Sequence, residues 1–565
     1  MNSGKTGLKL PVLAAVAAAF ALAPALAQAA SVHTASIQAA VAPAGKPKLI
    51  LAIAVDQLSS DLFAQYRQHF TGGLSRLSQG VVFPSGYQSH NATETCPGHS
   101  TILTGARPSR TGIIANNWFD LSLGREDKKV YCSEDPRIPG SSSEKYTVST
   151  QFLRVPALGD HMKRADPRSR GAVVAGKDRA AVMMGGYAPD QRWWWSGKAF
   201  VSDPSNRQPA PAGASVNAAI ASALSQPRQP LDLPALCQAR SRAIDVQGGQ
   251  QVGAGRFARE AGDSRAYRAS PELDGATLAL AAALQQEMQL GRGEATDLLI
   301  VGLSATDYVG HSYGTEGSEM CLQMLALDRS LGDFFDRLDA AGIDYLAMLT
   351  SDHGGQDLPE RLREHAMPGA SRVDPALAPG TMGKAIAARL GLKEQALFGD
   401  APFGDMYIGR ALTPAQRKRA LDEVVRTYRA HRQVAAAFTR AELSAAPAPS
   451  GPPDQWSLID RARASFDPGR SGDLVVLLKP RVTPIADPGP GYVATHGSPW
   501  DYDRRVPILF WRKGMRGFEQ PLAVETVDIL PTLAPLVGVT IPAGTIDGRC
   551  LDLAEGPETS CQPRP

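Results

Sequence analysis

Short, continuous apolar runs recur along the chain, and each closes on a charged residue. Lys48-Leu-Ile-Leu-Ala-Ile-Ala-Val55 ends at Asp56, and Ala172-Val-Val-Ala175 leads to Lys177. Thr296-Asp-Leu-Leu-Ile-Val-Gly-Leu303 leads to Asp307, and Tyr345-Leu-Ala-Met-Leu-Thr350 leads to Asp352 and His353. Asp473–Leu478 and Val506–Trp511 repeat the pattern. Runs without polar alternation suit strands buried on both faces of a parallel sheet. Between them, helical spacing covers Leu278–Gln289, Cys321–Ala340, Pro414–His431 and Val527–Leu536. Strands alternating with helices predict a large α/β sandwich. In open α/β sheets, sites form beyond the carboxyl ends of the strands. Asp56, Asp307, Asp352 and His353 all fall at or just beyond such ends.

Three regions break this rhythm: residues 136–171, 193–274 and 358–472. The first two are rich in Ser, Pro, Gly, Arg and Gln; the third has Pro-rich breaks around the helix 414–431. They are read as insertions capping one core that spans 47–550, with 551–565 as a tail, and no internal repeat is found. The chain has 565 residues, 43% of them hydrophobic, enough for a large core. A formal charge of +3 without a clustered basic stretch argues against nucleic acid as a partner.

Residues 1–29 read as a signal peptide. Lys5 and Lys9 precede the apolar run Leu10–Leu22, and Ala25-Leu-Ala27 and Ala27-Gln-Ala29 are small-x-small cleavage patterns. A retained anchor is the alternative. Residues 30–46 read as a linker, and no later stretch is long and apolar enough to span a bilayer. A periplasmic protein, free of the membrane after signal removal and monomeric, is expected. Export permits disulfides among the six cysteines. Cys550–Cys561 closes a short loop and is the preferred pair. Cys132–Cys237 is a second pairing, with Cys96 and Cys321 left as buried thiols. Without a CxxC motif there is no zinc knuckle or thioredoxin-type site.

The chemistry centres on Thr93–Asn117. Thr95 stands before Pro97 and Gly98 at the predicted start of a helix, where proline is tolerated and free N–H groups favour an anion. By itself a threonine there is more often a cap. Asp307-Tyr-Val-Gly-His311, Asp352-His353-Gly-Gly and the small-residue loop around His496 add carboxylates and imidazoles that suit zinc. Each alone has an ordinary explanation, since a strand-end Asp is commonly a turn former. Together with Asp56 they are six candidate ligands on one sheet edge. Lys177-Asp-Arg179, read as extended, puts two cations on one face. Gly171-Ala-Val-Val-Ala-Gly-Lys177 is a near miss to a phosphate-binding loop. It is rejected because the intervening residues look like a strand and Asp178 stands where Ser or Thr should be.

The ordered set resembles the alkaline phosphatase superfamily, and within it the phosphate-irrepressible, threonine-nucleophile (PafA-type) alkaline phosphatases. Its carriers are Asp56, Thr95 in Thr-x-Pro-Gly-His, Asn116 in Gly-Ile-Ile-Ala-Asn-Asn-Trp, Lys177-x-Arg179, Asp307-x-x-x-His311, Asp352-His353-Gly and His496-Gly. The resemblance covers about residues 46–550. It implies a three-layer sandwich with a large, mostly parallel central sheet and capping insertions. It also implies two zinc ions per chain, one held by Asp307, His311 and His496 and the other by Asp56, Asp352 and His353 beside Thr95. Asn116, Lys177 and Arg179 would bind the phosphoryl oxygens of small phosphate monoesters while Thr95 forms a covalent phosphothreonine. Cys96 stands where this family often has a smaller residue.

Three other functions compete. A sulfatase needs Cys or Ser in the place of Thr95 and Arg in that of His99. A phosphodiesterase or nucleotide pyrophosphatase shares the ligands and the threonine, and Lys177-x-Arg179 discriminates against it. A non-enzymatic zinc-binding protein would need none of Thr95, Asn116, Lys177 and Arg179.

Overall fold

A computed structural model describes residues 45–561 apart from 205, 207, 208, 557 and 558. The signal peptide and nearly all of the linker lie outside the described residues. Leu49–Val55 is a wholly buried strand, parallel to Asp297–Leu303 on one side and to Tyr345–Thr350 on the other. Gly171–Ala175 and then Gln191–Trp195 extend the parallel block. Arg505–Arg512 lies antiparallel between Tyr345–Thr350 and Val81–Tyr87. Phe200–Ser202 closes the far edge, and Phe518–Glu519 and Val524–Glu525 line the near one, completing ten strands.

Alternation along one buried strand explains the layers. Leu49, Leu51, Ile53 and Val55 enter a core shared with Leu331 and Phe335. Ile50, Ala52 and Ala54 face the other way, onto Leu530 and Leu533. Each fully buried aliphatic side chain contributes roughly 1.5–3 kcal/mol of transfer free energy, so helices are needed on both faces. The helix Pro271–Glu287 begins earlier than its apolar pattern, because Ser270 accepts the Glu272 N–H and Pro271 fits the first turn. The remaining helical readings correspond to Ser318–Ala340, Pro414–Ala430 and Ile529–Leu536.

Two strands differ from the sequence reading. Leu474–Leu478 is not in the central sheet. It lies in a separate four-stranded sheet with Leu397–Phe398, Gly404–Ile408 and Val434–Thr439. Val506–Trp511 does join the central sheet, as part of Arg505–Arg512, but runs antiparallel. An apolar run signals burial on both faces and says nothing of partner or direction. The small sheet, with the helices Pro379–Leu390 and Pro414–Ala430, has its own core around Ile386, Val424 and Val476. The boundary drawn at residue 193 falls inside the strand Gln191–Trp195.

The cysteines pair as Cys96–Cys132, Cys237–Cys321 and Cys550–Cys561. The last is the pair preferred from the sequence. Cys132–Cys237 is not formed, and Cys96 and Cys321 are not free thiols. Six cysteines allow fifteen pairings, and only tertiary packing selects among them. Among the described residues, no helix is long and apolar enough to cross a membrane.

Candidate active site

Thr95 opens the helix Thr95–Ile102, with Glu94 extended before it and Pro97 and Gly98 in its first turn. The helix start lies against the exit of Tyr345–Thr350. A Cβ on Gly98 would overlap the Asp352 carbonyl oxygen, so glycine permits the approach. Gln88 donates from Nε2 to both Gly98 O and Ser351 O, at 3.3 and 3.0 Å, tying the two segments together. After Asp56 the chain turns through Gln57 in the left-handed region, φ +66°, and the Gln57 N–H donates to Asp352 Oδ1 at 3.1 Å. This places Asp56 and Asp352, from adjacent strands, at one edge.

All six candidate ligands converge there. Asp307 sits in the first turn of the helix Ala305–Tyr313 and His311 one turn later on the same face. His311 Nε2 and His496 Nε2 lie 3.3 and 3.4 Å from Asp307 Oδ1. His353 Nε2 lies 3.2 Å from Asp352 Oδ2, and its ring stacks on His496 at 3.6 Å between centroids. Each imidazole is anchored through Nδ1 to a backbone carbonyl: His311 to Ala494, His353 to Gly354 and His496 to Thr93, at 2.8, 2.8 and 2.7 Å. With Nδ1 donating, each Nε2 offers its lone pair to the cluster, the second-sphere arrangement of metal-ligating histidines.

The donor set fits metal. Asp56 Oδ1, Asp307 Oδ1, Asp352 Oδ2 and His353 Nε2 are buried without a well-formed hydrogen bond. Such atoms are costly to bury unless a cation completes them. Two groups hold three donor atoms within 4.8 Å of one another: Asp307, His353 and His496, and Asp56, His99 and Asp352. Nitrogen and carboxylate donors in this mixture suit zinc.

His99 is the member that sequence reasoning passed over. Its Nδ1 lies 3.2 Å from Asp352 Oδ2 and 2.9 Å from Thr95 O, and its Nε2 lies 3.2 Å from Asp56 Oδ1. Burial favours its neutral form, but Asp352 and Asp56 outweigh that and raise it to about 10. The available signal was spacing: four residues after Thr95, on a helix, is the same face. Burial likewise works against charge on Asp307, yet His311 and Lys177 hold its carboxyl well below the usual carboxylate range. Burial, with His353 beside it, lowers His496 to about 4, leaving a neutral ring.

The two cations also converge on Thr95. Lys177 is extended, but Arg179 is already in the helix Asp178–Gly185, so the pair is not on one extended segment as the sequence suggested. The convergence comes from the helix entry. Lys177 Nζ is 3.3 Å and Arg179 Nη2 3.5 Å from Thr95 Oγ1. Lys177 Nζ also meets Asp307 Oδ2 at 2.5 Å and Asp56 Oδ2 at 2.9 Å. Burial opposes its charge, but these two carboxylates raise its pKa above the ordinary lysine value. Asn116 Oδ1 accepts the Cys96 N–H at 2.8 Å, and the Asn116 N–H donates to Glu94 Oε2 at 2.7 Å. With Oδ1 committed, the Asn116 amide turns its NH2 donor to other uses.

Residues 50–499 match the family described as type I phosphodiesterase / nucleotide pyrophosphatase. The chain belongs to this family, within the alkaline phosphatase superfamily. It is 58% identical over 518 residues to alkaline phosphatase PhoK of Sphingomonas sp, covering 91% of this chain and 92% of that one. It is 49% identical over 532 residues to alkaline phosphatase PhoD of Zymomonas mobilis, covering 93% and 92%. The crystal structure of wild-type alkaline phosphatase PafA superimposes with a TM-score of 0.77 at 24% identity, over 89% of this chain and 98% of that one. That likeness carries the fold: a large, mostly parallel central sheet of ten strands flanked by helices.

Proposed function

We propose that the protein is an alkaline phosphatase that hydrolyses small phosphate monoesters through a covalent phosphothreonine at Thr95. Two zinc ions per chain would be held by Asp307, His311 and His496, and by Asp56, Asp352 and His353 with Thr95. The exported address read at residues 1–29 makes the periplasm its place of work, as a monomer that binds neither membrane nor nucleic acid.

The observation that carries the monoester reading is that Lys177 Nζ and Arg179 Nη2 both reach Thr95 Oγ1, within 3.5 Å. A monoester presents an additional anionic oxygen for such cations, whereas a diester presents an ester group. Similarity to two relatives named alkaline phosphatases supports the same choice. Charge supports the metals. Asp56, Asp307 and Asp352 are balanced by Lys177, Arg179 and the protonated His99, so the bare site has no net positive charge to hold a phosphoryl dianion. Two divalent ions would supply it.

Thr95 Oγ forms the new bond to phosphorus while the ester P–O bond breaks and the alcohol departs. Water then attacks phosphorus, the P–Oγ bond breaks, and phosphate leaves. Two inversions give net retention. Asn116, Lys177 and Arg179 hold the non-bridging oxygens throughout, the positioning and charge stabilisation on which phosphoryl transfer depends. The zinc ions, when bound, supply Lewis acidity that lowers hydroxyl pKa values and offsets charge on the oxygens at phosphorus. The reading is tested by kcat/KM for a phosphate monoester, a phosphate diester and a sulfate ester with zinc present. The monoester is expected to lead by orders of magnitude, and a leading diester would move the assignment to a phosphodiesterase.

A further inference from the structure

Arg179 is held unusually for a half-buried guanidinium. Among the described residues no carboxylate lies within ion-pair distance of it, and its Nε is buried without a partner. Adjacent Asp178 does not serve. Its oxygens accept the Arg179 backbone N–H at 2.8 Å, the Tyr131 hydroxyl at 2.8 Å and the Tyr146 hydroxyl at 2.9 Å. The guanidinium instead donates from Nη1 to Tyr131 Oη, at 3.3 Å. Tyr131 therefore gives its proton to Asp178 and receives a hydrogen bond from Arg179. Its ring lies against Tyr146, 4.6 Å between centroids.

Tyr131 comes from a hairpin that also carries a second phosphoryl-side residue. Asn117–Phe119 pairs with Lys129–Tyr131, and the Cys132 N–H donates to Asn116 O at 2.9 Å. Asn116 and Cys132 thus face each other at the open end of the hairpin, next to the Asn117–Tyr131 pair. Cys132 is bonded to Cys96, the residue after Thr95. Ile113, Ile114, Trp118, Val130 and Met183 pack around this junction. One element is tied to the nucleophile's helix, presents Asn116, and reaches Arg179 through Tyr131.

We infer that Tyr131, held by this stapled hairpin, is the positioning residue of Arg179, aiming its fork at the phosphoryl group beside Thr95; the inference rests on the phosphomonoesterase reading above. The choice of a phenol has a physical logic. A carboxylate in its place would orient the guanidinium but also neutralise it. A phenol whose proton is committed to Asp178 orients Arg179 through a lone pair and leaves the full charge for substrate. The test is a double-mutant cycle on the zinc-loaded enzyme, using Tyr131→Phe and Arg179→Ala. Tyr131→Phe should lower monoester kcat/KM about five- to tenfold, the size of one hydrogen bond. It should weaken competitive inhibition by inorganic phosphate in parallel. With Arg179→Ala already present, it should cost nothing further. Losses that multiply independently would overturn the inference, as would an unchanged kcat/KM for Tyr131→Phe. So would a loss shared equally by a diester substrate with lowered zinc content or thermal midpoint, which marks general destabilisation. A wild-type enzyme that prefers diesters defeats the parent reading instead, and the Tyr131–Arg179 coupling is then read on the diester.

Discussion

The two sides of Thr95 are built by different means. On the ligand side, Asp56, Asp307, His311, Asp352 and His353 follow the exits of adjacent strands and His496 comes from a loop, and His311, His353 and His496 are each anchored by a main-chain carbonyl. On the phosphoryl side, Asn116, Lys177 and Arg179 come from a hairpin and a helix entry, and the contacts that aim them run largely through side chains and a disulfide. A main-chain anchor survives most substitutions around it, whereas a side-chain anchor is lost with one hydroxyl. With the metals proposed for it, the ligand side should therefore fail all at once. The phosphoryl side should fail in graded steps.

The largest effects test the ligand side and the nucleophile. Thr95→Ala is expected to lower turnover by about three powers of ten or more and to abolish phosphoryl trapping on acid quench. Metal content should remain, because the six Asp and His donors are untouched. A phosphoryl group still trapped would remove Thr95 as nucleophile. Chelation should abolish activity, and zinc should restore it where magnesium does not, because imidazole donors favour zinc. Undiminished turnover in enzyme shown to be metal-free would defeat the ligand assignment.

Next in size is the phosphoryl side. Each charge-assisted contact is worth roughly 1.5–3 kcal/mol, or about one to two powers of ten in rate. Lys177→Ala/Arg179→Ala should depress monoester kcat/KM steeply and diester kcat/KM far less. Because Lys177 also meets Asp56 and Asp307, zinc content and thermal midpoint are the needed controls. Equal losses on both substrates would erase the distinction between the two sides.

The smallest effect concerns the scaffold beneath both. Asp274 is buried, accepting the Ala305 N–H and Gln323 Nε2–H, each at 2.9 Å. Burial raises its carboxyl to about 7. A folded pKa above the unfolded one means that the folded state holds more protons between them. Its stabilising contribution is complete below about pH 4 and is lost as pH rises to about 7. Asp274→Asn should flatten that dependence. It should stabilise the protein at pH 8 by about 1 kcal/mol and bring no gain at pH 4. Denaturation midpoints at the two pH values decide it, and an equal shift at both would show that the charge is irrelevant.

Legibility in the sequence divides along the same line. The apolar runs ending at Asp56, Asp307 and Asp352 mark strands and their exits, because burial on two faces excludes polar residues and a sheet collects its strand ends at one edge. His99 was within reach through its spacing from Thr95 but lacked a strand end to flag it. Tyr131, Tyr146 and Asp178 carry no periodic signal, for their meeting depends on a hairpin folding onto a distant helix. The Cys96–Cys132 pairing is of the same kind.

By itself the sequence determined the α/β alternation, the parallel centre of the sheet and the set of chemical groups brought to its edge. All of these follow from local burial patterns and from residue types. Tertiary structure alone decided the direction of Arg505–Arg512, the separate sheet that takes Leu474–Leu478, the cysteine pairs and the residue that aims Arg179. Each of these is a contact between segments far apart in the chain or on different elements. Hydrophobic periodicity records how deeply a residue is buried, not which residue it is buried against.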